Sequence, residues 1–216
     1  MIKVCLADNY PVTHFGVKSY FKDHDEISIV ANVGNFSMVR DILQNKEIDV
    51  LVIDLELEGL ASILEIKAML KNFPKTKIII FSSLSEQIYA PNAIKAGVSG
   101  YVHKSEKLET LGQSIVKVHQ GKIIVNENVR KNMALIAKQS KSERLYRKLS
   151  NREIEVLRYL SHGKKNHEIA DILSLNEKTI STYKLRLLTK LNVTNLVDLV
   201  RSEEHTSELQ SRLQIS

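Results

Sequence analysis

The sequence predicts an α/β domain with a doubly wound, five-stranded parallel sheet, followed by a small all-α domain. Short apolar runs alternate with amphipathic stretches over residues 1–122, whereas the pattern from Ser150 onward is wholly helical. The charge divides in the same way, because residues 1–122 hold 14 basic and 14 acidic side chains but residues 123–200 hold 15 and 8. We therefore predict an α/β domain over residues 1–122, a linker over 123–149 and a helical domain over 150–200.

The predicted strands are apolar runs with little alternation, which is typical of strands buried on both faces of a parallel sheet. They are Ile2–Ala7, Ile27–Val33, Ile48–Ile53, Lys77–Phe81 and Ser99–Val102. The predicted helices between and after them are Val12–Lys22, Ser37–Asn45, Leu60–Asn72, Glu86–Ala96 and Leu108–Gln120. Pro91 falls inside the fourth helix, so we expect that helix to start late, to kink or to be short.

The composition indicates a globular protein of a reducing compartment. The chain is 43% hydrophobic and 26% charged, and it contains no run of about eighteen apolar residues of the kind that spans a membrane. Asp8 interrupts the first apolar run too early for a signal peptide. Cys5 is the single cysteine, so no internal disulfide can form, and we expect it to be buried in a strand, with catalysis as the alternative. We therefore expect a cytoplasmic protein with no membrane partner.

Polar side chains follow the predicted strands at the points where the strands end. Asp8 and Asn9 follow the first strand, Asp54 the third, Ser82 the fourth and Lys104 the fifth. The carboxyl ends of parallel strands meet at one edge of a sheet, where ligands bind, so we expect these groups to lie together. Mg²⁺ prefers such oxygen ligands. Taken singly, an aspartate at the end of a strand is more often a turn former or helix cap than part of a binding site.

This set of residues resembles the receiver domain of two-component response regulators, which has a flavodoxin-like fold. The resemblance implies that Asp54 accepts a phosphoryl group from a sensor histidine kinase. It also implies a Mg²⁺ site formed by Asp8, Asn9, Asp54 and the main-chain carbonyl of Glu56. Ser82, Tyr101 and Lys104 match the positions that bind the phosphoryl group and switch the conformation, and after phosphorylation we expect Ser82 to move inward with Tyr101 following.

The sequence departs from the usual receiver pattern at several positions. Asn9 stands where a second acid is common, so we expect a weakened Mg²⁺ site. Leu57-Glu58-Gly59 replaces a common Met-Pro-Gly run, and Ser105 replaces a proline. A degenerate receiver that acts without phosphorylation is therefore an alternative. An enzyme built on the α/β domain is another, but the sequence has no Gly-rich phosphate loop, nucleophile elbow or Cys/His cluster, and we expect no enzyme.

Three short helices are predicted after the linker. Ser150 and Glu153 have the spacing of a capping box, which predicts where the first helix begins, and Gly163 ends it. The second helix is predicted over residues 164–173 and the third over 177–191, with Ser174 or Asn176 as the N-cap of the third.

The third helix has an apolar face and a polar face. Ile180, Leu187 and Leu191 recur at helical spacing and should face inward. The opposite face carries side chains that suit base edges in the major groove, namely Lys178, Ser181, Thr182, Leu185 and Arg186. We expect Lys164, Lys165, Lys184 and Lys190 to contact phosphates, because basic side chains gain free energy by releasing counterions from DNA.

The segment LSNREIEVLRYLSHGKKNHEIADILSLNEKTISTYKLRLLTKLNV resembles the LuxR-type helix-turn-helix of NarL/FixJ response regulators. Within it, STYK is similar to the BvgA/EvgA branch. The resemblance implies that the protein binds double-stranded DNA as a homodimer and regulates transcription. A small protein-interaction domain with a solvated basic face is the alternative.

The last residues differ in character from the rest of the chain. RSEEHTSELQS, which begins at Arg201, matches the translation of a common sequencing-adapter oligonucleotide. We therefore expect residues 201–216 to be a non-native tail. A native polar helix is the alternative.

Overall fold

The structure is a computed structural model that describes residues 1–127, 129–130 and 149–191. The chain divides into two compact units. The first comprises residues 1–86 and 90–131, and the second comprises residues 87–89 and 132–216. Most of the predicted linker, the end of the predicted helical domain after residue 191, and the predicted tail lie outside the described residues.

The N-terminal unit is a doubly wound α/β fold with one parallel sheet, as predicted. Its sheet has the strand order β2-β1-β3-β4-β5. The elements are β1 (Ile2–Ala7), α1 (Pro11–Tyr20), β2 (Ile27–Val33), α2 (Phe36–Asn45), β3 (Val50–Ile53), α3 (Ile63–Asn72), β4 (Lys77–Ser82), α4 (Glu86–Lys95), β5 (Gly100–His103) and α5 (Leu108–His119). Ligands of such a fold bind beyond the carboxyl ends of the strands, where the strand order reverses; β1 and β3 are neighbours at this point.

Burial explains why the central strands could be recognised from their composition. Every residue of β3 is buried, and β1 and β4 are buried at all but one position each. The edge strand β2 is fully buried only at its two ends. Cys5 is buried in β1, which raises the pKa of its thiol to about 12 and makes it a poor nucleophile.

One helix starts later than predicted, and another keeps its predicted start despite an internal proline. The helix predicted from Leu60 starts later, because Ser62 and Glu65 form a capping box at the start of α3. The helix that contains Pro91 begins at Glu86 and continues through the proline, so the expectation of a late start is wrong.

The chain continues as part of the N-terminal unit beyond α5. The main-chain N–H of Ile124 donates to the carbonyl of Ser99 at 2.9 Å, and the N–H of Tyr101 donates to the carbonyl of Ile124 at 2.9 Å. These bonds form a parallel bridge to β5. Residues 123–126, which we expected to begin the linker, are therefore attached to the edge of the sheet.

The C-terminal unit contains α6 (Asn151–Ser161), α7 (Asn166–Leu173) and α8 (Glu177–Leu191). The Ser150–Glu153 capping box starts α6 as predicted. Ser174 has a left-handed conformation at the end of α7, and Asn176 accepts from the N–H of Thr179 at 2.8 Å. Asn176 is thus the residue that caps α8. No described helix is both long enough and apolar enough to cross a membrane.

Candidate phosphoacceptor site and nucleic-acid interface

Four of the predicted side chains meet at the carboxyl edge of the sheet. Asp8 and Asp54 are each 1% exposed. The ammonium of Lys104 lies 2.5 Å from Oδ2 of Asp54 and 2.7 Å from Oδ2 of Asp8. The hydroxyl of Ser82 donates to Oδ1 of Asp54 at 2.6 Å. One carboxylate is thus held between an ammonium group and a hydroxyl group.

The charge on Lys104 is secured by its two carboxylate partners. Burial by itself would lower the pKa of the ammonium, but the hydrogen bonds and charge attraction of Asp54 and Asp8 outweigh burial and raise it. Lys104 is therefore positively charged at any physiological pH. A fixed positive charge beside Asp54 is suited to stabilise negative charge that develops on a transferring phosphoryl group.

The loop between β3 and α3 closes one side of the site. The main-chain N–H of Glu56 donates to Oδ1 of Asp54 at 3.1 Å. The side-chain amide of Asn9 donates from Nδ2 to the carbonyl of Glu56 at 2.6 Å and accepts at Oδ1 from the N–H of Glu58 at 2.7 Å. Asn9 therefore lies beside this loop, as expected for its position after β1, but its amide bonds to the backbone of the loop.

The predicted Mg²⁺ ligands fit a divalent cation only in part. Asp8 and Asp54 offer two carboxylates to a cation, and Oδ2 of Asp8 is buried without an aligned hydrogen bond. The ammonium of Lys104, however, already pairs with both carboxylates. The carbonyls of Asn9 and Glu56 already accept hydrogen bonds from amide groups. Among the described residues no group of three or more His, Cys, Asp or Glu side chains is arranged for a metal. The carbonyl of Glu56, an expected Mg²⁺ ligand, thus already accepts one hydrogen bond, and its role in binding the cation stays a prediction.

Tyr101 is buried, with 2% of its surface exposed. Its hydroxyl donates to the carbonyl of Leu84 at 2.9 Å. Burial, and then the charges of Glu86 and Asp54, raise the pKa of its phenol well above the usual value, so it remains a hydrogen-bond donor. Ser82 is buried as well, and the movement of Ser82 and Tyr101 expected after phosphorylation stays a prediction.

Glu86 is a polar residue near this site that the sequence analysis overlooked. Its Oε1 accepts from the main-chain N–H of Asn126 at 2.7 Å, which joins the start of α4 to the segment after α5. Burial raises the pKa of its carboxyl group to about 7, although the hydrogen bond from Asn126 acts in the opposite direction. No local sequence motif predicts this contact, because the two residues lie 40 positions apart in the chain.

In the C-terminal unit, α8 has the two faces that its sequence predicts. Ile180, Leu187 and Leu191 are buried. Leu185 is 66% exposed. The remaining predicted base-reading residues, namely Lys178, Ser181, Thr182 and Arg186, are also exposed, as are Lys164 and Lys165, whereas Lys184 is half-buried.

Hydrogen bonds hold the polar side chains of α8 in place. The hydroxyls of Ser181 and Thr182 donate to the main-chain carbonyls of Glu177 and Lys178, at 3.1 Å and 3.0 Å. The amide of Asn166 on α7 donates to the hydroxyl of Ser181 at 3.2 Å. This contact fixes α7 against α8 at the exposed face, and the spacing of the two residues in the sequence did not reveal it.

Lys190 pairs with a buried carboxylate, whereas Lys164 pairs at 3.6 Å with the partly exposed Glu168. Its ammonium lies 2.7 Å from Oε2 of Glu153, whose side chain is buried. Burial of Glu153 would raise the pKa of its carboxyl group, but Lys190 and the hydrogen bonds from Ser150 lower it. The capping-box glutamate is therefore also the acceptor of an ion pair between α6 and α8. This pair engages the Lys190 ammonium within the unit, and its contact with DNA phosphates stays a prediction.

A parallel α/β unit that holds a carboxylate between a lysine and a serine at the carboxyl edge of its sheet defines a receiver-type signalling domain. The chain belongs to the response regulator receiver family, because residues 4–116 match the family described as "Response regulator receiver domain". Residues 147–202 match the family "Bacterial regulatory proteins, luxR family". The chain is thus a response regulator with a receiver domain and a LuxR-type DNA-binding domain.

Individual relatives agree with this assignment over nearly the whole chain. A putative transcriptional regulator of Pseudomonas aeruginosa is 31% identical, with 93% of this chain and 96% of that protein covered. The Fimbriae Z protein of Salmonella typhimurium is 29% identical, with 91% and 93% covered. A solved structure of the RcsB response regulator of Salmonella typhimurium has a TM-score of 0.78 at 24% identity, with 94% of this chain and 97% of that chain covered. Its description concerns conformational dynamism for DNA interaction. Of these, the Pseudomonas aeruginosa protein is named as a putative transcriptional regulator, and the RcsB structure shows a likeness of fold. Neither family match is to an enzyme family.

Proposed function

We propose that this protein is a transcription factor whose binding to double-stranded DNA is controlled by phosphorylation of Asp54 by a sensor histidine kinase. One observation carries the proposal: Asp54 lies in hydrogen-bond contact with Lys104 and Ser82 at the edge of the sheet where ligands of this fold bind. In this proposal the receiver occupies residues 1–122 together with residues 123–126, which attach to its sheet, the linker occupies the remainder up to residue 149, and the DNA-binding domain occupies 150–200. The tail over residues 201–216 has no role.

The proposed transfer uses a carboxylate oxygen of Asp54 as the nucleophile. The oxygen attacks the phosphorus of a phosphohistidine whose other ring nitrogen is protonated, and an O–P bond forms as the P–N bond breaks. The bonding electron pair goes to the nitrogen, and the histidine leaves as a neutral imidazole. Lys104 neutralises charge on the phosphoryl oxygens, and the hydroxyl of Ser82 transfers its hydrogen bond from the carboxylate to one of those oxygens. Both groups are positioned for these roles before the reaction.

The proposed DNA interface is the exposed face of α8 together with the lysines that precede α7. Arg186, Thr182 and Leu185 read base edges, while Lys164 and Lys165 contact phosphates. The amide of Asn166 keeps α7 and α8 in register at this face. The protein binds as a homodimer in this proposal. A helix-turn-helix dimer reads two half-sites that lie one helical turn, or a multiple of one turn, apart.

Three finer assignments belong to the same proposal. Receiver domains generally bind Mg²⁺ at the phosphorylation site, and this chain binds it weakly, because Asn9 contributes no charge. The STYK segment at Ser181 to Lys184 relates the DNA-binding domain to the BvgA/EvgA branch. The protein acts in the bacterial cytoplasm, where the chromosomal DNA lies.

Fluorescence-anisotropy measurements of DNA affinity test the proposal. An operator is first selected from genomic fragments, and its affinity is then measured with and without a small phosphodonor and Mg²⁺. The donor should tighten binding by the wild type and by Asp41→Ala, a control at an exposed aspartate of α2. It should leave Asp54→Ala unchanged. Equal responses of wild type and Asp54→Ala, or no selected sequence at all, would contradict the proposal.

A second candidate is a regulator that works without phosphorylation. One observation favours it, because Asn9 contributes no charge to the expected Mg²⁺ site and its amide bonds to the backbone of the β3–α3 loop. In that case the wild type and Asp54→Ala would bind the operator equally tightly, with or without the donor.

A further inference from the structure

The amide of Asn9 makes a two-point contact with the β3–α3 loop. Its Nδ2 donates to the carbonyl of Glu56 at 2.6 Å, and its Oδ1 accepts from the N–H of Glu58 at 2.7 Å. These are the groups that a neighbouring strand would pair with, so the amide acts as one additional peptide unit beside the loop. We call this pair of hydrogen bonds the Asn9 clamp.

The Asn9 clamp holds the residues that position the phosphoacceptor. Glu56, which the clamp holds by its carbonyl, donates its own N–H to Oδ1 of Asp54 at 3.1 Å. Glu58, which the clamp holds by its N–H, accepts from the N–H of Phe36 at 2.8 Å. Asn9 therefore connects the end of β1, through two loop residues, to the acceptor carboxylate and to the start of α2.

An aspartate at position 9 could not make the clamp. A carboxylate has only acceptor oxygens, and one placed against the carbonyl of Glu56 would face it without a hydrogen atom between them. A cation between the two oxygens would remove this repulsion, because hard divalent cations bind carboxylate and carbonyl oxygens together. The amide of Asn9 achieves the same connection with its own N–H and carries no charge.

We propose that Asn9 is a positioning residue that keeps the β3–α3 loop in its phosphoacceptor geometry without a divalent cation. The inference rests on the proposed role of Asp54, but its test requires no phosphoryl transfer. A failure of the clamp is therefore distinguishable from a failure of the phosphorylation mechanism, which the DNA-affinity measurement tests separately.

Hydrogen exchange of the Glu58 amide in the full chain reports directly on the clamp. In the wild type the exchange rate should be slow and the same in EDTA and in Mg²⁺. Asn9→Ala should accelerate it by about threefold to tenfold, the loss expected for one hydrogen bond of ordinary net strength. Asn45→Ala is the matched control, because the Asn45 amide donates only to Asp41 within α2 at 2.8 Å among the contacts described for it, and it should leave the Glu58 rate unchanged.

A second variant, Asn9→Asp, tests whether a cation can take over the role. In EDTA the Glu58 amide should exchange faster than in the wild type, and the melting temperature should be lower. Millimolar Mg²⁺ should raise the melting temperature of Asn9→Asp, because a ligand that binds only the folded state stabilises it. The wild type should gain much less from the same addition.

Two results would overturn the inference. The first is a wild-type Glu58 amide that is protected only when Mg²⁺ is present, since Asn9 would then be an ordinary metal ligand. The second is an Asn9→Ala variant with wild-type Glu58 exchange in EDTA, since the loop would then hold itself. If Asn9→Ala does not fold, the exchange of the Glu58 amide is measured in Asn9→Asp, whose side chain has the same size as that of Asn9. Wild-type Glu58 exchange in Asn9→Asp in EDTA would then overturn the inference.

Discussion

Glu86 should make the stability of the N-terminal unit depend on pH between about 4.5 and 7. Its carboxyl group has a pKa of about 7 against an ordinary value of 4.5, chiefly because of burial. A folded-state pKa above the unfolded one means that the folded protein binds the proton more tightly. The stabilisation is therefore complete below pH 4.5 and is lost as pH rises through about 7.

The size of the effect follows from the displacement of the pKa. A rise from 4.5 to about 7 corresponds to about 3 kcal/mol. The side chain is only half-buried, and solvent screening reduces the effect, so we expect about 1–2 kcal/mol. Glu86→Gln keeps an acceptor for the N–H of Asn126 but does not titrate, and it should lack this pH dependence.

Urea unfolding between pH 4 and 8 measures the difference between the wild type and Glu86→Gln. The wild type should lose about 1–2 kcal/mol relative to the variant as the pH rises over this range. Glu109→Gln, at an exposed position of α5, is the control and should follow the wild type. Parallel pH profiles for wild type and Glu86→Gln would refute the reasoning.

Three further predictions concern charge, DNA and packing. Lys104→Met leaves two buried carboxylates without their cation and should destabilise the N-terminal unit by about 3 kcal/mol at pH 7, measured by chemical unfolding; an unchanged midpoint would contradict the ion pair. Arg186→Ala should weaken binding to the selected operator by about 1–3 kcal/mol but binding to random DNA much less, with Arg40→Ala as a control in the other unit; equal losses on both DNAs would assign Arg186 to the backbone. Gly112→Ala should cost about 1–3 kcal/mol of stability, because a Cβ there would lie 2.9 Å from the buried ring of Phe21; a melting temperature equal to wild type would show that the ring yields.

The sheet and the phosphoacceptor site were predictable because both follow from local pattern. Central parallel strands are buried on both faces, so their apolar runs mark them, and the polar residue after each strand must lie at the shared edge. Asp8, Asp54, Ser82 and Lys104 meet for this reason. The start of α3 could have been predicted in the same way, since Ser62 and Glu65 have the spacing of a capping box, but the prediction of a start at Leu60 overlooked this spacing.

The contacts that escaped prediction join residues far apart in the chain. Glu86 meets Asn126 across 40 positions, and Lys190 meets Glu153 across 37. Such pairs depend on how helices and strands pack against one another. Neither the periodicity of the sequence nor its charge count predicts this packing. Asn9 was recognised as a departure from the receiver pattern, but only its carbonyl oxygen and its missing charge were considered. The donor that it gains over an aspartate became meaningful only when the backbone groups of the β3–α3 loop were seen beside it.

The most direct test of the central claim is the intact mass of the protein after incubation with a small phosphodonor and Mg²⁺. The account predicts the addition of one phosphoryl group to the wild type and to Asp41→Ala, and none to Asp54→Ala. A wild type that gains no mass, or an Asp54→Ala variant that gains the same mass as the wild type, would contradict it.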